Sequence, residues 1–120
     1  MKRIGGNLNA LLQINVVGDK DSIGKRQSDW VTVLTLNGWL DLSNGDSHYN
    51  VFNTKIEDST HIFLCDYTDL SNVTRDEETI SITSKNARLV IKGLVYDILL
   101  IDNPMNMNEH LEIYLRFVGD

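Results

Sequence analysis

The chain has 120 residues, 42% hydrophobic and 23% charged, which is an ordinary composition for one globular domain and excludes disorder along the whole length. Seventeen Asp and Glu against eleven Lys and Arg give a formal net charge of −6, the wrong sign for the basic face with which phosphate binders hold nucleic acid. One cysteine, Cys65, excludes an intrachain disulfide or a cysteine zinc site and fits a reducing compartment.

No run approaches the ~18–20 apolar residues of a membrane span. With no long apolar run after Met1, no signal peptide is expected. The dominant hydrophobic period is two, the period of a strand with one buried face. Ala10, Leu12, Ile14 and Val16 alternate with Gln13 and Asn15, which predicts a first strand. Residues 18–28 then read as a polar loop. Residues 30–42 are rich in Val, Thr, Leu and Trp and read as strand. They contain Asn37-Gly38, which has two readings: a hairpin turn, or a bulge at Gly38 in one long bent strand. Asn44-Gly45 marks the end of the element.

Residues 46–59 are ambiguous. Tyr49, Phe52 and Ile56 are spaced by three and four behind a possible cap at Asp46 or Ser47, so a short helix and an ordered loop are both open. Residues 61–67 predict a strand apolar on both faces, and residues 69–78 a polar stretch. Ile80 and Ile82 alternate with Thr79, Ser81 and Thr83 in a short strand. Ala87, Leu89 and Ile91 alternate in another, and Lys92-Gly93 reads as a tight turn. Residues 94–101 form a nearly continuous apolar strand, expected to be central. Residues 102–109 hold Pro104, the single proline, and read as a loop. Leu111, Ile113, Leu115 and Phe117 alternate in the last strand. The expected fold is therefore mainly β: a small β-barrel of about six strands with long loops, at most one short helix, and one domain over residues 1–120.

The search for chemistry is mostly negative. No glycine-rich phosphate loop, nucleophile elbow or paired-histidine zinc motif occurs. His48, His61 and His110 share no ligand spacing, so no metal site and no cofactor are expected. The run from Asp19 to Gly24 resembles a calcium loop, yet places Ile23 and Trp30 where oxygen ligands belong. Asp76-Glu77-Glu78 reads as a solvated charge run. Cys65 lies in an apolar strand without a base and reads as a small core residue. At least one of Trp30 and Trp39 is expected in the core. Met105 and Met107 are flexible apolar residues in a polar loop. No catalytic residue is assigned.

The order of features resembles the tailed-bacteriophage head–tail joining family, also called head-completion, head-closure or stopper proteins. The likeness runs through the strand at residues 8–17, then Trp30-Val31-Thr32-Val33, Trp39 and Leu42-Ser43-Asn44-Gly45. These match the family's Trp-x-x-Val, later Trp, later Leu-Ser-Gly order. Thr60-His61-Ile62-Phe63-Leu64 is similar to its Thr-His strand. Arg88 to Ile98 looks like its strand, glycine turn and Val-Tyr-x-Ile strand, and residues 111–117 supply the closing strand.

This resemblance implies a non-enzymatic virion protein at the head–tail interface, made in the host cytoplasm. It implies assembly as an oligomeric ring between the portal or adaptor protein and the tail proteins, closing the DNA exit channel, with possible proximity to packaged DNA and no membrane. It favours one bent strand through Asn37-Gly38. It places the channel or partner-contact loop at Asn44, Gly45, Asp46, Tyr49, Phe52, Glu57 and Asp58. An acidic loop there, through Asp46, Glu57 and Asp58, repels DNA and lets it slide. The alternative is a generic small β-barrel module that binds a protein or ligand.

Overall fold

Strand alternation closes on itself in three dimensions. A computed structural model describes residues 4–20, 26–42 and 59–119. Among them are eight strands: β1 (Leu8–Lys20), β2 (Arg26–Leu42), β3 (His61–Asp66), β4 (Val73–Arg75), β5 (Glu78–Ile80), β6 (Ala87–Ile91), β7 (Leu94–Asp102) and β8 (His110–Gly119). Six form a closed antiparallel barrel in the order β1-β2-β3-β8-β7-β6, and β4 and β5 form a separate hairpin. The mainly-β barrel expectation is met. A single turn of 3-10 helix at Pro104–Asn106 interrupts the loop before β8. The possible helix within 46–59 lies largely outside the described residues.

The period-two residues fill the barrel. Ala10, Leu12 and Ile14 of β1 meet Phe63 and Cys65 of β3, Leu89 and Ile91 of β6, Tyr96 and Ile98 of β7, and Leu111, Ile113 and Leu115 of β8 in one buried cluster. A barrel of this size has an interior that side chains alone can fill. Each wholly buried leucine, such as Leu12, Leu89 or Leu115, contributes about 1.5–3 kcal/mol. Leu70, Val73 and Ile82, from the segment between β3 and β6, join the same cluster. The Ile82 N–H donates to the Leu70 carbonyl at 2.7 Å. The β4–β5 segment thus adds buried side chains to the barrel core.

Two sequence expectations change. The stretch at 18–28 is not all loop: β1 runs to Lys20 and β2 starts at Arg26, with Lys20 opposite Arg26 and Val17 opposite Ser28. Backbone pairing overrides polar composition there, and the two strands form a long ribbon. The predicted strand at Ile80 and Ile82 is displaced. β5 ends at Ile80, and it pairs with β4, which falls in the stretch read as polar. Its turn uses Asp76 and Glu77 at φ 49° and 66°, a left-handed turn made without the Asn-Gly signal. Residues 94–101 lie in β7, which is paired on both sides, by β6 and by β8, as a central strand is. Their continuous apolar run has a local cause: Leu99 is an extra residue between Ile98 opposite Leu115 and Leu100 opposite Tyr114.

Asn37-Gly38 is not a hairpin. β2 is one strand, and its bulge is at Val33, between Leu12 opposite Leu34 and Gln13 opposite Thr32. Gly38 has a different job. It is opposite Leu8 of β1 and opposite Cys65 of β3, where β2 passes from one partner to the next. A Cβ there would collide with the Leu64 carbonyl oxygen and come 2.7 Å from Phe63 Cζ, and Gly6 crosses directly against the Gly38 backbone. Gly38→Ala is therefore expected to lower folding stability by about 1–3 kcal/mol, read as a lower denaturant midpoint at unchanged slope. A Gly38→Ala protein as stable as the wild type would show that β2 is not clamped at this point.

Candidate interaction surface

With its interior filled by its own side chains, the barrel offers its ends and outer face to partners. At one end lie the C-terminal part of β2, the start of β3, the end of β8 and the start of β7. Leu42 is 73% exposed there, Val118 57% and Phe117 44%. Beneath them Tyr96 packs edge-on against His61 (5.1 Å between ring centroids) and against Phe117 (5.5 Å). The Thr60 hydroxyl accepts from the Phe117 N–H at 2.8 Å, and the Thr60 N–H donates to the Leu115 carbonyl at 2.8 Å. These bonds tie the re-entry of the chain at Ser59, itself buried, to the end of β8. Segment 43–58 leaves and returns at this apolar rim. The seven residues assigned to a contact loop, Asn44, Gly45, Asp46, Tyr49, Phe52, Glu57 and Asp58, all lie outside the described residues, as does His48.

The outer face carries a polar cluster that the sequence did not reveal. Asp102 of β7 and Glu112 of β8 are directly opposite, a like-charge pair. Glu112 is held by His110 Nε2 at 3.1 Å and accepts from the Tyr114 hydroxyl at 3.0 Å. Burial, and then Glu112, raises the Asp102 pKa. Burial and Glu112 also push the Tyr114 phenol up to about 12. His110, Glu112 and Tyr114 share one face of β8 by strand alternation, and the β7–β8 register brings Asp102 to them. Among the described residues no group of three or more His, Cys, Asp or Glu has an arrangement that could hold a metal ion.

Neither tryptophan is in the core, contrary to expectation. Trp39 is 44% exposed, and its Nε1 donates to the Ile4 carbonyl at 3.2 Å. The Asp66 carboxylate accepts from the Ile4 and Gly5 N–H groups at 2.6 and 3.2 Å, which completes the anchoring of the N-terminal segment across β2 and β3. Trp30 lies on the outer face of the ribbon under the Arg88 guanidinium, 4.3 Å from the ring centre. Arg88 is oriented by Gln13 at 2.9 Å. Both rings face outward because their neighbours Val31 and Leu40 take the inward positions.

Cys65 is buried, as expected of a core residue, and burial followed by Asp66 pushes its thiol up to about 11, away from thiolate reactivity. Asp76 pairs with Arg75 at 3.2 Å in the exposed β4–β5 turn. Near the start of β8 a second apolar feature appears: Met105 is 88% and Met107 56% exposed. Their loop is braced by Asn103 and Asn108, whose side chains bond at 2.7 Å. No protein-family model matches the chain, and no curated protein matches it.

A carboxyl whose folded pKa exceeds its unfolded one takes up protons on folding, so stability falls as pH rises through that interval. For Asp102 the interval begins at its ordinary value of 3.8 and extends upward. Asp102→Asn is therefore expected to raise Tm at neutral pH and to leave it unchanged near about pH 3, where both forms are neutral. Melting curves across that range decide it; an equal shift at every pH would assign the effect to packing.

Proposed function

We propose that this chain is a structural, non-enzymatic virion protein of the tailed-phage head–tail joint, assembling as an oligomeric ring between the portal or adaptor protein and the tail. The observation that carries the reading is the apolar rim at Leu42, Phe117 and Val118, set around the end of a filled barrel where segment 43–58 departs and returns. Large apolar side chains left exposed at one end of a barrel are candidates for a protein contact. The chain leaves this end after Leu42 and returns at Ser59, and segments carried between the strands of a scaffold are frequent binding elements.

The ordered resemblance to head-closure proteins and the net charge of −6 support the same reading. Segment 43–58 contributes Asp46, Glu57 and Asp58. An acidic lining repels packaged DNA and prevents it from sticking. In this reading Tyr49 and Phe52 supply the apolar contacts of the loop with neighbours.

The test uses DNA-filled heads of the source virus that lack this component. Added protein is expected to appear as density at the portal vertex in electron microscopy and to protect the packaged DNA from nuclease. Absence of binding to those heads would sink the reading. Leu42→Asp is expected to change folding stability by less than about 0.5 kcal/mol, as for an exposed site, and to reduce vertex occupancy. Wild-type occupancy by this variant would remove the rim from the contact.

A further inference from the structure

We propose that the open edge of β2 pairs with the same edge of a second copy of this chain, around a two-fold axis between Val33 and Leu34. β2 bonds β1 from Arg26 to Gly38 and meets β3 only from Gly38 onward. Among the described residues no strand pairs with residues 26–37 on their other side. Natural sheets guard such an edge with lysine, proline or a charged side chain. Residues 30–37, Trp-Val-Thr-Val-Leu-Thr-Leu-Asn, contain none of these. They are instead a β-prone uncharged run of the kind that seeks another strand.

The bulge at Val33 makes this run complementary to itself. Side chains alternate along a strand, but the extra residue resets the alternation. Trp30, Thr32, Thr35 and Asn37 are exposed, whereas Val31, Val33, Leu34 and Leu36 are partly or fully buried. Antiparallel pairing about the bulge sets Thr32 opposite Thr35, Trp30 opposite Asn37, Val31 opposite Leu36 and Val33 opposite Leu34. Every outward residue then meets an outward one, and every inward residue an inward one. A regular strand would not satisfy this register, because partners whose numbers sum to an odd value face opposite sides.

The backbone directions agree. The inward-facing Gly38 turns its carbonyl toward the β1 side, where the Asn7 N–H donates to it at 3.1 Å. The outward-facing Asn15 of β1 turns its N–H away from β2, to the Asn86 carbonyl at 3.0 Å. Outward-facing residues of β2 therefore direct N–H and C=O at the open edge. Thr32 with Thr35, and Trp30 with Asn37, become the hydrogen-bonded pairs of the new ladder, and threonine pairs are favourable across strands.

A two-fold contact closes after two copies, whereas a ring needs unlike surfaces to meet. The pairing therefore belongs to the free protein and does not rest on the head–tail reading. Its test needs purified protein alone. Wild type is expected to elute and scatter light as a dimer. Thr32→Cys and Thr35→Cys proteins, prepared separately, are expected to form a disulfide-linked dimer on mild oxidation only when mixed, because each position faces the other across the axis and not itself. Cys65 is buried and stays out of the reaction. Thr35→Pro, which removes an N–H from the open edge and none from the β1 ladder, is expected to give a folded monomer; if it does not fold, the cysteine mixture still decides. A monomeric wild type, or cross-linking no greater in the mixture than in the separate variants, overturns the proposal.

Discussion

β2 has two partners in succession, and the handover at Gly38 governs the rest of the structure. Up to that residue β2 is half of a ribbon with β1; beyond it, β2 carries β3 into the barrel. The passage brings the Leu64 carbonyl, the Phe63 ring and the crossing N-terminal segment so close to the Gly38 backbone that a methyl group has no room. Barrel closure depends on it, because β3 bonds β8, β8 bonds β7, β7 bonds β6, and β6 returns to β1. A barrel corner built on glycine is the usual solution to a close backbone approach. The N-terminal segment then reinforces the corner, through Asp66 on two backbone N–H groups and Trp39 on a carbonyl.

Closure has a second effect. It buries one face of every barrel strand, leaves the barrel itself without free edges, and sends functional capacity outward. The surface divides into an apolar rim where segment 43–58 attaches, a carboxylate pair with its histidine and tyrosine on the β7–β8 face, a methionine loop before β8, and the ribbon. The ribbon is the exception to closure, since it extends beyond the strands that would cover it. The molecule measures 51 × 30 × 28 Å along its principal axes, an elongated outline for a chain of this size.

Much of the architecture was legible because its cause is local. Alternation at Ala10-Leu12-Ile14, Ala87-Leu89-Ile91 and Leu111-Ile113-Leu115 is imposed by a barrel wall with one wet face, and Lys92-Gly93 forms the left-handed turn its composition suits (φ 53° and 79°). The errors also have physical causes. Polar residues in the 18–28 stretch suggested loop, yet backbone pairing of Val17 with Ser28 and of Lys20 with Arg26 carries the strands into it. Asp76-Glu77 carries no turn signature, yet pairing of β4 with β5 holds it left-handed. The tryptophans looked like core because of their size, but strand phase turned both outward.

The sequence by itself determined a small all-β domain, the strands that fill its centre, and the inert placement of Cys65, because hydrophobic period and burial are properties of neighbouring residues. Only the tertiary structure decided that Asp102 meets Glu112, that Arg88 covers Trp30, that Leu42 and Phe117 share a rim, and that Val33 is the bulge. Each of these depends on register between strands, some consecutive and some distant in the chain, and register is fixed by pairing around the whole barrel, which no single strand's pattern encodes.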